Sequence, residues 1–131
     1  MRAADTNLLV RYFTADDRRQ VAIVDALFGE CMDRGEQIFV SIPVICELAW
    51  VLSVSHRFTK PEIADALARL LDQTLFEVES ELLVRRALKS YDNGRGGLTD
   101  YLISEIATAA GCRDTVTFDR ALKGSHGFTL L

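Results

Sequence analysis

Apolar positions along this chain recur with a period near two in short runs and near 3.6 in longer ones, and each switch marks an element. Ala3 and Ala4 are small enough for a strand buried on both faces, and they run straight into Asp5. Beyond it Leu8, Leu9 and Tyr12 fall on one side of a helix. Asp16 and Asp17 are cap residues for a helix over about 18–30, in which Val21, Val24, Leu27 and Phe28 share a face. Gln37 to Val40 reads as a second strand. Ser41-Ile42-Pro43 opens a helix with Pro in its first turn. That helix carries Val44, Ile45, Leu48, Trp50, Val51 and Leu52 and is apolar nearly all round, which predicts burial on several sides.

Thr59-Lys60-Pro61-Glu62 has the spacing of a capping box, followed by the stripe Ile63, Ala66, Leu67, Leu70 and Leu71. Leu75 to Val78 is a third strand, and a helix over 81–91 offers Leu82, Val84, Leu88 and Tyr91 for packing. Three glycines between Asp92 and Gly97 make the clearest loop. A helix from about Leu98 follows, with Gly111 as its stop. Thr115 to Phe118 and Phe128 to Leu131 complete the set as fourth and fifth strands. Strands alternating with helices predict an α/β domain with a mostly parallel sheet of four or five strands, covered on both faces.

Composition narrows the class. A chain of 131 residues, 49% hydrophobic and 26% charged, has the length of one domain spanning 1–131. Charged residues interrupt every apolar run before it reaches the roughly 20 residues of a membrane span. The amino terminus lacks the apolar region of a secretion signal, so a cytoplasmic protein without membrane partners is expected. Cys31, Cys46 and Cys112 are odd in number and widely spaced, and indicate neither a disulfide framework nor a zinc site. The net charge of −4 disfavours a passive nucleic-acid binder but not an enzyme whose acids surround a metal ion.

Four acids carry the candidate chemistry. Asp5 and Asp119 end strands, while Glu47 and Asp100 lie in the opening turns of helices. In a parallel sheet all four positions fall at the carboxyl edge, where open α/β sheets bind ligands. Each has an ordinary reading: Asp5 caps a helix, Asp100 sits in the favourable field of a helix start, Asp119 turns the chain, and Glu47 pairs with an Arg. A carboxylate in an apolar helix needs some cationic partner. Carboxylates that converge favour a hard divalent ion such as Mg²⁺ or Mn²⁺.

Taken together with their neighbours, the segments Asp5-Thr6-Asn7-Leu8-Leu9, Ile45 to Leu52, Thr99-Asp100-Tyr101-Leu102-Ile103 and Thr117-Phe118-Asp119-Arg120 resemble, in order and spacing, the PIN-domain ribonucleases, most closely VapC-type toxins. The resemblance implies a three-layer α/β/α fold and a metal-dependent endoribonuclease. It implies that Asp5, Asp100 and Asp119 ligate Mg²⁺ or Mn²⁺ while Glu47 orients water or holds a second ion. It further implies in-line attack leaving a 5′-phosphate and a 3′-hydroxyl, a cognate antitoxin protein as partner, and a homodimer. Thr117 matches the hydroxyl two places before the last acid and Asn7 follows the first acid by two; each either supports its acid from behind or serves as an ordinary cap. The chain departs from the pattern at Gly97, where many relatives carry a polar or acidic residue, and at Ala121-Leu122, where some carry a further acid.

Two other classes remain at this point. A PIN-like module without catalysis, serving only in assembly, would share the fold. A receiver-type signalling domain would need paired acids after the first strand and an Asp after the third, and neither is present. The apolar surplus on the helices at 43–56 and 60–72 predicts a homodimer or a bound partner helix.

Overall fold

The computed structural model describes residues 1–131, and every strand and helix expected from the sequence forms close to its expected bounds. In chain order they are β1 (Arg2–Ala3), α1 (Thr6–Thr14), α2 (Arg18–Asp33), β2 (Ile38–Val40), α3 (Ile42–Val54), α4 (Lys60–Asp72), β3 (Phe76–Val78), α5 (Glu81–Asn93), α6 (Leu98–Ala109), β4 (Thr115–Thr117) and β5 (Phe128–Leu130), with a 3₁₀ turn at Arg120–Leu122. All strand pairs are parallel, as the alternating pattern requires. The expected parallel α/β arrangement of five strands forms, with the strands in two ladders, β1-β2-β3 and β4-β5. β1 is two residues long and pairs with β2, extended by the Ala4 N–H donating to the Phe39 carbonyl at 2.9 Å.

Contacts divide the chain into two units, Met1–Glu81 and Leu82–Leu131. In the first, α1 lies against α2 and α3, α3 against α4, and α4 against β3. Leu9, Ile38, Val40, Ile45, Leu48, Leu52, Leu67 and Leu70 lose essentially all contact with water. Fully burying one such side chain contributes about 1.5–3 kcal/mol. The Tyr12, Phe28 and Phe76 rings meet edge to face or tilted, and the Tyr12 hydroxyl accepts from the Gln73 amide at 3.0 Å. In the second unit Val84, Ala87 and Tyr91 of α5, Leu98, Tyr101 and Leu102 of α6, and Leu122 of the 3₁₀ turn are buried. No helix is long and apolar enough to cross a membrane.

Two packing expectations change. α3 is not buried on all sides: Ile45, Leu48, Ala49 and Leu52 face inward, whereas Pro43, Glu47, Trp50 and Val54 form an exposed stripe, Trp50 at 62%. Its opposite faces differ although its composition does not, so hydrophobic count alone misjudged it. The stripe of α4 is wholly buried, which leaves the apolar surplus on α3 alone. Leu82, expected to pack, is instead exposed at the start of α5.

The predicted capping box is present. The Thr59 hydroxyl accepts from the Glu62 N–H at 3.3 Å, and the Glu62 carboxylate accepts from the Thr59 N–H at 3.0 Å. The Thr59 backbone N–H, then the Thr59 hydroxyl, hold the Glu62 carboxyl below its ordinary value. A depressed folded pKa means that this contribution to stability is complete above the unfolded value and fades as pH falls through the folded one. Thr59→Ala is expected to cost about 1 kcal/mol near neutral pH, read as a lowered Tm; an unchanged Tm would show that the cap contributes nothing.

Candidate active site

Each of the three aspartates is fixed by its own local backbone. Asp5 follows β1 and caps α1 in an extended conformation, φ −84° and ψ 163°, with Oδ1 accepting from the Thr6 N–H at 2.7 Å. Asp100 stands in the first turn of α6 and turns back, so that Oδ2 accepts from the Gly97 N–H at 2.9 Å. Asp119 follows β4 and caps the 3₁₀ turn, Oδ1 accepting from the Ala121 N–H at 2.9 Å. In all three the ordinary capping role is therefore real. It is also incomplete, because one carboxylate oxygen is held by an N–H while the other makes no protein hydrogen bond or ion pair. Asp5 and Asp119 are exposed and Asp100 is half-buried.

Glu47 corrects the expectation of a carboxylate enclosed in an apolar setting. It lies on the exposed stripe of α3 and makes no hydrogen bond or ion pair, so its charge is solvated and needs no Arg. Within the first unit Asp5 caps the helix that lies against α3, and both helices leave the carboxyl ends of paired strands. Asp100 and Asp119 belong to the second unit, where α6 lies against β4. No three His, Cys, Asp or Glu side chains are gathered as a metal cluster.

The supporting residues behave locally. The Thr117 Oγ1 accepts from the Asp119 N–H at 3.0 Å, a turn bond that fixes the backbone of the acid and leaves the hydroxyl proton to donate elsewhere. Asn7 is exposed in the first turn of α1 without a hydrogen bond. Arg11, on the same helix that Asp5 caps, is tied to the Asp16 carboxylate at 3.1 Å and to the Gln20 amide. The Thr14 hydroxyl, then Arg11 and His56, hold the Asp16 carboxyl below its ordinary value.

One acid at this edge was not anticipated. Glu79 directly follows β3, and its carboxylate accepts from the Ile42 N–H at 3.1 Å, capping α3 where Ser41 makes no side-chain cap bond. The signal that singled out Asp5 and Asp119, an acid just beyond a strand, is present at Glu79 as well. The carboxyl edge of the first ladder thus carries Asp5 beyond β1 and Glu79 beyond β3. Glu79 is half-buried and committed to a helix start, whereas Asp5 keeps an oxygen outward.

The donor chemistry of the four predicted acids fits a hard divalent cation: all donors are carboxylate oxygens, three of them on side chains immobilised by backbone N–H groups. Comparison with known proteins bears on the same residues. The PIN domain family model matches residues 3–124, a span that contains all four. The chain is also similar to a VapC ribonuclease of Aquifex aeolicus (strain VF5), 29% identical over 123 residues that make up 94% of this chain and 90% of that protein.

Proposed function

Because this chain belongs to the PIN domain family, we propose that it is a divalent-metal-dependent endoribonuclease, the toxin of a toxin–antitoxin pair, with Asp5, Glu47, Asp100 and Asp119 as its acidic set. The observation that carries this reading is the shared anchoring of the three aspartates, each through one oxygen to a backbone N–H. Such anchoring fixes a ligand's position before the ion arrives, and the ordering entropy is met during folding. Similarity to a VapC ribonuclease over nearly the whole of both chains supports the same activity.

Asp5, Asp100 and Asp119 would hold the ion, and Glu47, exposed and unbonded on a rigid helix, would orient water or hold a second ion. Bound Mg²⁺ or Mn²⁺ would supply a more acidic water and offset the charge that builds on the scissile phosphate. No protein nucleophile is needed, in keeping with two histidines that have no Ser or Cys nucleophile oriented beside them. Attack in line by water leaves a 5′-phosphate and a 3′-hydroxyl. The deciding experiment incubates purified protein with end-labelled single-stranded RNA in Mg²⁺, in EDTA, and in EDTA followed by excess Mn²⁺. Cleavage in the first and third alone supports the reading. RNA intact in all three favours the other reading, a PIN module without catalysis.

The partner surfaces belong to the same proposal. Beyond Glu47 the exposed stripe of α3 turns apolar at Trp50 and Val54, and we assign that carboxyl-terminal end to a homodimer contact, with a cognate antitoxin protein covering the acids. Trp50→Glu is expected to shift the protein toward monomer with its Tm near that of the parent, since Trp50 is 62% exposed and substitution there disturbs no core packing. Sedimentation that shows the parent and variant equally dimeric would move the contact elsewhere.

A further inference from the structure

Phe118 is 82% exposed, more than any other large apolar side chain of this protein. Fully burying a Phe is worth about 1.5–3 kcal/mol, so a ring left in water on an ordered turn forgoes that contribution. The turn is ordered on every side. The Asp119 N–H donates to Thr117, the Asp119 carboxylate accepts from Ala121, the Lys123 N–H donates to the Arg120 carbonyl at 3.2 Å, and the Leu131 N–H donates to the Thr117 carbonyl at 2.9 Å. Buried Leu122 roots the same segment. Beside the ring lies a shallow cleft of about 400 Å³ lined by Phe118, Arg120, Lys123, Leu130 and Leu131. Arg120 and Lys123 are exposed and form no ion pair, two free cations in a chain whose net charge is −4.

We propose that this cleft is a nucleotide subsite for single-stranded RNA, in which Phe118 stacks a base and Arg120 and Lys123 hold flanking phosphates. The ring wants a flat apolar partner and the two cations want anions at neighbouring positions. A single-stranded nucleic acid repeats a base and a phosphate in every nucleotide, and aromatic platforms flanked by basic residues are its usual receptors. The position adds direction, because Asp119 lies between Phe118 and Arg120 in the chain and its backbone is fixed by the same turn. A strand on the cleft therefore passes the acid assigned above to metal ligation. The subsite rests on the RNA-cleaving reading and specifies how that substrate is held, with no dependence on base identity.

The test uses the full chain carrying Asp5→Asn, in Mg²⁺, with fluorescein-labelled single-stranded RNA of mixed sequence followed by anisotropy. Loss of one stacked base corresponds to at least about 5-fold weaker binding. Phe118→Ala and Phe118→Leu should both show it, while Phe118→Trp should bind as tightly as its parent or tighter. Leu preserves bulk and apolarity, so its failure separates stacking from mere greasiness. Arg120→Ala with Lys123→Ala should reduce the slope of log affinity against log salt by about 1.4, two phosphates at roughly 0.7 each.

Equal affinity across the Phe118 series, with RNA bound by the parent, overturns the subsite and leaves the nuclease reading intact. Wild-type protein that neither binds nor cleaves RNA, with an Asp5→Asn parent that binds none, overturns both. Phe118→Ala that keeps its RNA affinity but loses a co-expressed antitoxin assigns the cleft to protein and overturns the proposal.

Discussion

Asp5→Asn is expected to lower metal-stimulated RNA cleavage on the order of 100-fold or more, with a Tm close to that of the parent. The two halves of this expectation come from different oxygens of one side chain. Asn is as good an N-cap as Asp, and its carbonyl oxygen can still accept from the Thr6 N–H that now holds Oδ1 at 2.7 Å. The charge disappears, and with it the affinity for a hard cation. Asp100→Asn and Asp119→Asn should behave alike, since each keeps the acceptor for Gly97 or Ala121. Glu47→Gln has no cap bond to preserve and should leave stability untouched while reducing cleavage. Initial rates on labelled RNA, paired with thermal melts of the same samples, separate charge from fold. An Asp5→Asn protein cleaving at the parental rate would remove the acid from the chemistry and leave it only as a helix cap.

These four substitutions also ask whether two acids from each unit act together. Asp5 and Glu47 belong to Met1–Glu81, and Asp100 and Asp119 to Leu82–Leu131. If all serve one metal-dependent step, each single change removes most of the activity, and a second change adds far less than the product of the two, as groups acting as a unit do. If only one pair matters, the other pair tolerates substitution. The double variant Asp5→Asn with Asp119→Asn therefore discriminates a shared site from two independent ones.

Much of this was legible in the residues. Asp17, the Thr59-Glu62 box and Gly111, whose φ is +92°, announced the helix ends because capping is a local transaction between a side chain and the nearest free N–H or carbonyl. Strand positions were equally local, given by short apolar runs between breakers. What failed depended on which face met which neighbour. Trp50 and Leu82 are as apolar as Leu48 and Val84, yet the first pair is exposed and the second buried. Periodicity gives a stripe but not the extent of its cover. Glu47 was misplaced for the same reason, and the grouping of the strands into two ladders could not be read, because pairing between distant strands leaves no mark on either one. The capping bonds of the three aspartates could be anticipated; that one oxygen of each stays free could not, since only the fold decides what else reaches a carboxylate.

Gly94→Ala is expected to destabilise the second unit by about 2–3 kcal/mol, although Gly94 sits in a loop where a methyl group is usually harmless. A Cβ built there would fall onto the Tyr101 hydroxyl, 2.8 Å from the terminal ring carbon that bears it and 2.8 Å from the Ser90 carbonyl oxygen. The ring cannot simply yield. Tyr101 is 4% exposed, its oxygen accepts from the Gly96 N–H at 3.0 Å, and its ring packs edge to face with the Phe128 ring at 6.3 Å between centroids. Displacing it breaks a buried hydrogen bond and turns the first residues of α6, including Asp100, whose carboxylate is set by the Gly97 N–H one loop residue away. Activity should therefore fall with stability, unlike the outcome at Asp5. Tyr101→Leu provides the control: it loses the ring and its bond and is destabilised by itself, but adding Gly94→Ala to it should cost well under the amount seen in the parent, because most of the clash is gone. A double-mutant cycle by chemical denaturation measures that coupling, and strictly additive losses would mean that the glycine is required by the backbone and not by the ring.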